Sequence, residues 1–368
     1  EREMLTDFAD YIGRKNPDII AGWNSGDESN DGFDLPHIIE RMKGCGAPAR
    51  KLSRESTVEV SEHRDNYEPN IAGRALYDLM DGWGDTKFTE PDSFKLDDVA
   101  QTALDDAKIE HDDEGYYEMY RDSPAKFINY NVKDTRLTVE INDKENILGF
   151  KKRLKDIVGV DWRRTHQNNE FIEMAVRRKC FEHGVSMITA YDNPHVGDSG
   201  EDVNYEGAYV FPSFSGRKEN VVGIDLESLY PRTQQMLNVS PDTRIETAAA
   251  LAEGIPFVEG ENGQAFRTDV DGIMRELIEE YMKLKAEFKQ ERNAADPGTT
   301  KRKKLAEAYS VTKTIVNSFY GFGGWNRSPL YNPHDAAAVT LTGQAVIKRT
   351  AEYVNGETPG EVAYGDTD

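Results

Sequence analysis

The sequence holds little cysteine, too few cations to balance its acids, and no long apolar run. Its two cysteines, Cys45 and Cys180, allow one pair at most, which is no disulfide framework. No Cys/His group has the spacing of a zinc site, and a reducing cytoplasm fits this usage. No stretch approaches the roughly 20 apolar residues that a bilayer-spanning helix needs, so no membrane partner is expected. The chain opens at Glu1 without a basic leader and apolar run, and so reads as an internal piece of a longer product. Lys and Arg number 45 against 67 Asp and Glu, a formal net charge of −22 over 368 residues. By itself such a charge argues against a polyanionic partner. It also suits a cytosol of very high salt, where the Debye length falls to about 3 Å at 1 M and self-repulsion is screened. A halophilic archaeon, or a virus of one, is the expected source; an ordinary acidic protein is the plainer alternative.

The length allows two or three domains. Within it, Val221 to Ile224 is an apolar run that reads as a buried strand. It delivers Asp225 to its end, and Pro231 stops the strand after a turn over Leu226 to Tyr230. At the far end, Asp366 and Asp368 alternate on one face of a predicted strand over Glu361–Asp368. Two carboxylate-bearing elements so far apart suggest an oxygen-only site for Mg²⁺. Between them, Lys313, Asn317 and Tyr320 fall near one helical face. Two long helical patterns, Asp269–Asn293 and Lys301–Ser318, flank the turn Asp296-Pro297-Gly298 and read as a helical hairpin; Asn332–Tyr353 reads as another helix.

Near the start, Leu5–Arg14 reads as a helix stopped by Asn16-Pro17, Asp18–Asn24 as a strand, and Phe33–Met42 as a second helix. Asp34 stands at the head of that helix, where an Asp also serves as a simple cap. Tyr130 and Asp134, spaced i,i+4, share one face of a further helix. Arg163, Arg164, Arg177, Arg178 and Lys179 make a local basic patch, open to a phosphate role or to a solvated helix face.

Together these stretches resemble family B DNA polymerases. Asp225, Ser228, Leu229, Tyr230 and Pro231 match that family's D-x-x-S-L-Y-P. Lys313, Asn317, Ser318, Tyr320 and Gly321 match K-x-x-x-N-S-x-Y-G, and Tyr364, Asp366, Thr367 and Asp368 match Y-x-D-T-D. Each motif alone is weak, but three in the family's order are specific. Asp34 resembles the family's second exonuclease motif. There the spacing from Asn24 to Phe33 is longer than usual, and His37 replaces a Tyr. Tyr130 and Asp134 resemble the third motif, while the first, D-x-E, would lie upstream of Glu1. Tyr205-Glu206-Gly207-Ala208 resembles a segment that binds single-stranded template.

The resemblance implies a mixed α/β fold: a partial RNase H-like 3′–5′ exonuclease domain followed by the palm and helical fingers of a right-hand polymerase, with the thumb absent. The implied layout is exonuclease over 1–150, linker and start of the palm over 151–215, palm with Asp225 over 216–260, fingers over 261–320, and palm again over 321–368. It implies DNA-directed DNA polymerase activity, with two Mg²⁺ ions, dNTPs and primer–template DNA, and a sliding clamp reached through a C-terminal region beyond this chain. The cytoplasm, at the nucleoid, follows as the location.

Asp225, Asp366 and Asp368 would be catalytic, with Asp225, the Leu226 carbonyl and Asp368 on metal. Leu226, Ser228, Leu229, Tyr230, Lys285, Lys313, Asn317 and Tyr320 would bind nucleotide, Tyr230 acting as the gate against a 2′-hydroxyl. Tyr205, Gly207 and Gly321 would touch DNA. Asp34, Tyr130 and Asp134 would serve the exonuclease. Tyr281 stands where the family's finger Arg is expected, leaving Lys283 or Arg275 as substitutes. The alternative function is a catalytically inactive, polymerase-like scaffold, against which the three intact aspartates speak.

Overall fold

A computed structural model describes residues 1–27, 32–63, 66–85, 93–109, 115–162, 165, 168–196, 207–211 and 216–366. The chain divides into two compact units, Glu1–Gln167 and Asn168–Asp368. Helix outweighs strand, 58% against 8%, so short sheets are inlaid in a largely helical, mixed α/β fold. No described helix is long and apolar enough to cross a membrane.

In the first unit, α1 (Arg2–Lys15) buries Leu5, Ala9 and Ile12, one stripe at helical spacing. Asn16 ends it in the left-handed conformation, its N–H donating to the Ile12 carbonyl. The chain continues through β1 (Ile19–Gly22) and α2 (Asp34–Cys45) to the strands β2 (Val58–His63), β3 (Asn66–Ile71) and β4 (Ala75–Asp78). Here β1 pairs in parallel with β4, Ile19 opposite Ala75 and Gly22 opposite Asp78, while β2 and β3 form an antiparallel ribbon. One face of this arrangement packs on α1 and α2 through Ile39, Met42 and Leu76.

The helices α3 (Leu79–Asp85), α4 (Leu96–Leu104), α5 (Tyr116–Asp122), α6 (Pro124–Glu145) and α7 (Ile147–Val158) complete the unit. The core shared by β4, α3, α4, α6 and α7 includes Tyr77, Trp83, Val99, Leu137 and Ile147. Each such side chain, fully buried, stabilises the fold by roughly 1.5–3 kcal/mol before entropy is subtracted.

The second unit begins with α8 (Asn168–Glu182) and, after the 216–228 segment, α9 (Leu229–Met236). It then carries β5 (Arg244–Ile245), α10 (Thr247–Glu253), β6 (Phe257–Glu259) and β7 (Ala265–Arg267), with β7 central in an antiparallel sheet. The predicted hairpin is present as α11 (Ile273–Ala294) and α12 (Thr300–Gly324), where the Thr299 side chain caps α12 by accepting from the Arg302 N–H at 3.2 Å. The last helix, α13 (Pro333–Glu357), starts with Pro at N1 after Asn332, whose side chain accepts from the N–H groups of His334 and Asp335.

Two strand expectations fail. Val221, Val222 and Ile224 are 70%, 80% and 73% exposed and form no strand. Residues 361–366 likewise carry no strand. An apolar run becomes a strand only where a neighbour takes up its N–H and C=O groups. For 361–366 the described cross-link to the segment 207–211 is one bond, from Phe211 N–H to the Gly365 carbonyl at 2.8 Å. Nor does Pro231 close a strand. Leu229 and Tyr230 already belong to α9 and Pro231 sits in its first turn, where the missing N–H costs nothing.

Candidate active site

In the second unit the site is built where α9, α11, α12 and α13 meet. The loop before α9 turns at Ser228, held in the left-handed region at φ 59° and ψ 49°, a conformation unusual for a residue with a Cβ. Lys285 on α11 is buried, and its ammonium donates to Ser228 Oγ at 2.9 Å. The same Nζ lies 3.3 Å from Glu227 Oε1, and Lys289, one turn further along α11, lies 3.6 Å from that oxygen. The Lys285 bond and charge, with Lys289 adding to them, hold the Glu227 carboxyl below its usual range.

Tyr230 follows as the second residue of α9, two positions after Ser228. Its ring stacks on Tyr320 of α12, centroids 4.9 Å apart and planes at 26°. Gly343 of α13 closes another side, since a Cβ there would meet the Tyr230 ring at 3.2 Å. Lys313 is half-buried on α12; Asn317 and Gly321 are exposed. Tyr281 is buried against Phe319 across the hairpin, 5.7 Å between ring centroids, and burial pushes its phenol up to about 12. It is a packing residue there, not a stand-in for a phosphate-gripping Arg. Of the suggested substitutes, Arg275 pairs with Asp271 at 3.3 Å and Lys283 is exposed.

The predicted carboxylates are less assembled. Asp225 and Leu226 lie in the exposed segment before the Ser228 turn. Asp366 accepts a hydrogen bond from the Tyr364 hydroxyl at 2.6 Å. Asp368 and Tyr205 lie outside the described residues. Among the described residues no group of three or more His, Cys, Asp or Glu side chains could hold a metal ion. The donors offered by Asp225, Leu226 and Asp366 are all oxygen, which suits Mg²⁺ by chemistry. Gly207 is exposed, and its carbonyl accepts from Gln344 Nε2 of α13 at 2.8 Å.

The first unit holds the exonuclease candidates. Asp34 opens α2 at the surface. Despite the long spacing in sequence, Asn24 and Phe33 are neighbours, because the Phe33 N–H donates to the Asn24 carbonyl at 2.9 Å. What holds this loop is Asp78, at the end of β4. Its carboxylate accepts from the N–H groups of Asn24 at 2.9 Å, Gly26 at 3.0 Å and Met80 at 3.0 Å. Asp78 is 1% exposed, and desolvation outweighs these bonds, pushing its pKa up to about 6.

Tyr130 is buried on α6, with its hydroxyl 3.4 Å from that of Tyr116. Burial, chiefly, raises its phenol. Asp134 Oδ2 accepts from Lys108 Nζ at 2.8 Å, and Lys108 also lies 5.6 Å over the Tyr130 ring, so one cation touches both. Asp134 Oδ1 is buried with no hydrogen-bond partner.

Sequence reading missed Asp78, Lys108, Glu227 and Gly343. A signal existed for Asp78, an acid closing the apolar run Ala75-Leu76-Tyr77, the same logic that singled out Asp225. Lys108, between acidic stretches, carried none.

The arrangement matches that of a solved protein. The structure of the family B DNA polymerase from the hyperthermophilic archaeon Pyrobaculum calidifontis superposes with a TM-score of 0.75 at 24% identity, covering 99% of this chain and 46% of that one. The fold is therefore that of the exonuclease and the palm-and-fingers regions of a polymerase. A family model described as DNA polymerase family B matches residues 155–368, and one for the exonuclease domain of that family matches residues 1–99. The chain belongs to DNA polymerase family B. It is 29% identical to a DNA polymerase of Archaeoglobus fulgidus and 26% identical to DNA polymerase 2 of Aeropyrum pernix, over its whole length in both cases. It spans 44% of each of those proteins, so less than half their length.

Proposed function

We propose that this chain supplies the exonuclease, palm and fingers portions of a template-directed DNA polymerase. Its reaction is attack of a primer 3′-hydroxyl on the α-phosphate of a dNTP, in which the protein positions reactants and balances charge. The observation that carries this reading is the meeting of the Asp225–Pro231 loop with the fingers hairpin. Lys285 bonds Ser228 and Tyr320 stacks on Tyr230, so residues 57 and 90 positions apart share one site. The relatives named DNA polymerase support it.

In this reading Asp225, the Leu226 carbonyl and Asp368 would hold Mg²⁺, with Asp366 beside them. The metal would supply charge neutralisation at the phosphates and a more acidic primer hydroxyl. The N–H groups over Ser228–Tyr230 cradle the triphosphate, and Lys285 and Lys313 bind it as point charges. Tyr230 excludes a 2′-hydroxyl, Asn317 lies beside the nucleotide, and Tyr320 and Gly321 face the nascent base pair. Tyr205 and Gly207 take single-stranded template by stacking and close backbone approach. Asp34, Tyr130 and Asp134 belong to the proofreading exonuclease. The layout over 1–150, 151–215, 216–260, 261–320 and 321–368, the sliding clamp, the nucleoid location and a halophilic origin are parts of the same reading.

The test is primer extension by the full-length gene product with four dNTPs and Mg²⁺. Extension that halts wherever the template calls for an omitted dNTP supports the reading. Absence of extension, or extension indifferent to the template, contradicts it.

A further inference from the structure

Lys285 is 6% exposed at its side chain, yet the carboxylate that neutralises it, on Glu227, is 60% exposed. The cation is thus fixed inside while its counter-charge stands at the opening. A second cation, Lys289, approaches the same Oε1 at 3.6 Å from one helical turn away. An ordinary surface ion pair contributes little, about 0–1 kcal/mol. This one differs because an ammonium held away from water needs an anion beside it, and removing that anion is costly unless another replaces it. Ser228 fixes the geometry: its hydroxyl accepts one hydrogen bond from Lys285, and its left-handed backbone sets the turn beside Glu227.

Two lysines one turn apart on one helix face, both reaching the Glu227 carboxylate at the Ser228 turn, make a site for a polyphosphate. Glu227 already occupies it. We propose that Glu227 is an internal competitor of the nucleotide: its carboxylate holds Lys285 and Lys289 on the Asp225–Pro231 loop until the polyphosphate of an incoming nucleotide displaces it. Glu227 thereby sets the affinity of the site. This rests on the reading of Lys285 as a nucleotide-binding residue. No bond is made or broken; one anion exchanges for another, and Glu227 swings into solvent.

The experiment is titration of the purified chain with inorganic tripolyphosphate in EDTA, by calorimetry, for the wild type, Glu227→Gln, Lys285→Met and the double variant. Glu227→Gln keeps the shape and removes the charge. It should bind about 5- to 30-fold more tightly than the wild type, and Lys285→Met should abolish binding in both backgrounds. Glu227→Ala is a second neutral variant and should tighten binding as well, which covers the case in which Gln fails to fold. Equal affinity of wild type and neutral variants, with binding still lost in Lys285→Met, rejects the competitor and leaves the phosphate site standing. Binding that ignores Lys285→Met, or no binding at all, rejects the phosphate site and the competitor with it.

Discussion

The Tyr230 ring lies stacked on Tyr320, centroids 4.9 Å apart, with Gly343 against its edge where a Cβ would come within 3.2 Å. Three helices therefore fix the one side chain assigned to sugar selection. Such a stack adds about 0.5–1.5 kcal/mol beyond area burial. Tyr230→Ala should admit ribonucleotides, with discrimination falling by at least about tenfold, some 1.4 kcal/mol in the barrier difference.

Gly343→Ala isolates position from presence. Alanine favours the helix by up to about 1 kcal/mol over glycine, but its methyl must push the ring by a few tenths of an ångström. The melting temperature should hold or rise while the dNTP/rNTP ratio in single-turnover incorporation falls. An unchanged ratio in both variants would remove the gate assignment.

Asp78 should leave a signature in pH dependence. Its folded pKa is about 6 against an ordinary 3.8, so between those values the folded state binds the extra proton. Its contribution is then fully present below about pH 4, is lost as pH rises through 6, and is flat above, a change of about 3 kcal/mol. Asp78→Asn should flatten that slope in denaturant titrations. It should also speed hydrogen exchange at the Asn24 and Gly26 amides, because an amide cannot accept at both ends. A slope unchanged by the substitution would assign it to other groups.

The helices were legible because their signals are local. Asn16-Pro17, Asp296-Pro297-Gly298 and Asn332-Pro333 punctuate 3.6-residue patterns, and α1, α11, α12 and α13 follow them within a few residues. A strand at 221–224 was expected from an apolar run and one over Glu361–Asp368 from alternation, yet pairing depends on a partner elsewhere in the chain, which neither signal carries. Of the site, the motifs named Tyr230 and Tyr320, whose rings stack, and the wider resemblance named Lys285, which bonds Ser228. They were silent on the contacts that hold it. Glu227 is an unassigned position inside the motif, Gly343 is one glycine in a helix, and the Lys108–Asp134 pair joins residues that no pattern links.

That pair yields its own test. Its side chains are 29% and 22% exposed, and Asp134 Oδ1 already lacks a partner. Lys108→Met keeps the length of the side chain and removes its charge, leaving a partly buried carboxylate uncompensated. The first unit should lose about 1–3 kcal/mol, read as a lower urea midpoint with an unchanged slope. A midpoint equal to the wild type would show that solvent already screens Asp134.

The net charge of −22 predicts a response to salt. Lowering ionic strength from about 1 M to about 0.01 M lengthens the Debye length from about 3 Å to about 30 Å, so carboxylates across the surface begin to repel. The melting temperature followed by circular dichroism should rise with KCl over that range and beyond. A flat or falling curve would reject adaptation to high salt.

The central claim is that Asp225 and its loop carry phosphoryl transfer, and rapid-quench primer extension by the full-length gene product tests it most directly. With saturating dNTP and Mg²⁺, Asp225→Ala should slow single-nucleotide addition by on the order of 10³-fold or more, the several kcal/mol that a bound metal supplies to such a transition state. Primer–template affinity should stay within about threefold of wild type, a change of under 1 kcal/mol. Addition at the wild-type rate by Asp225→Ala would contradict the account.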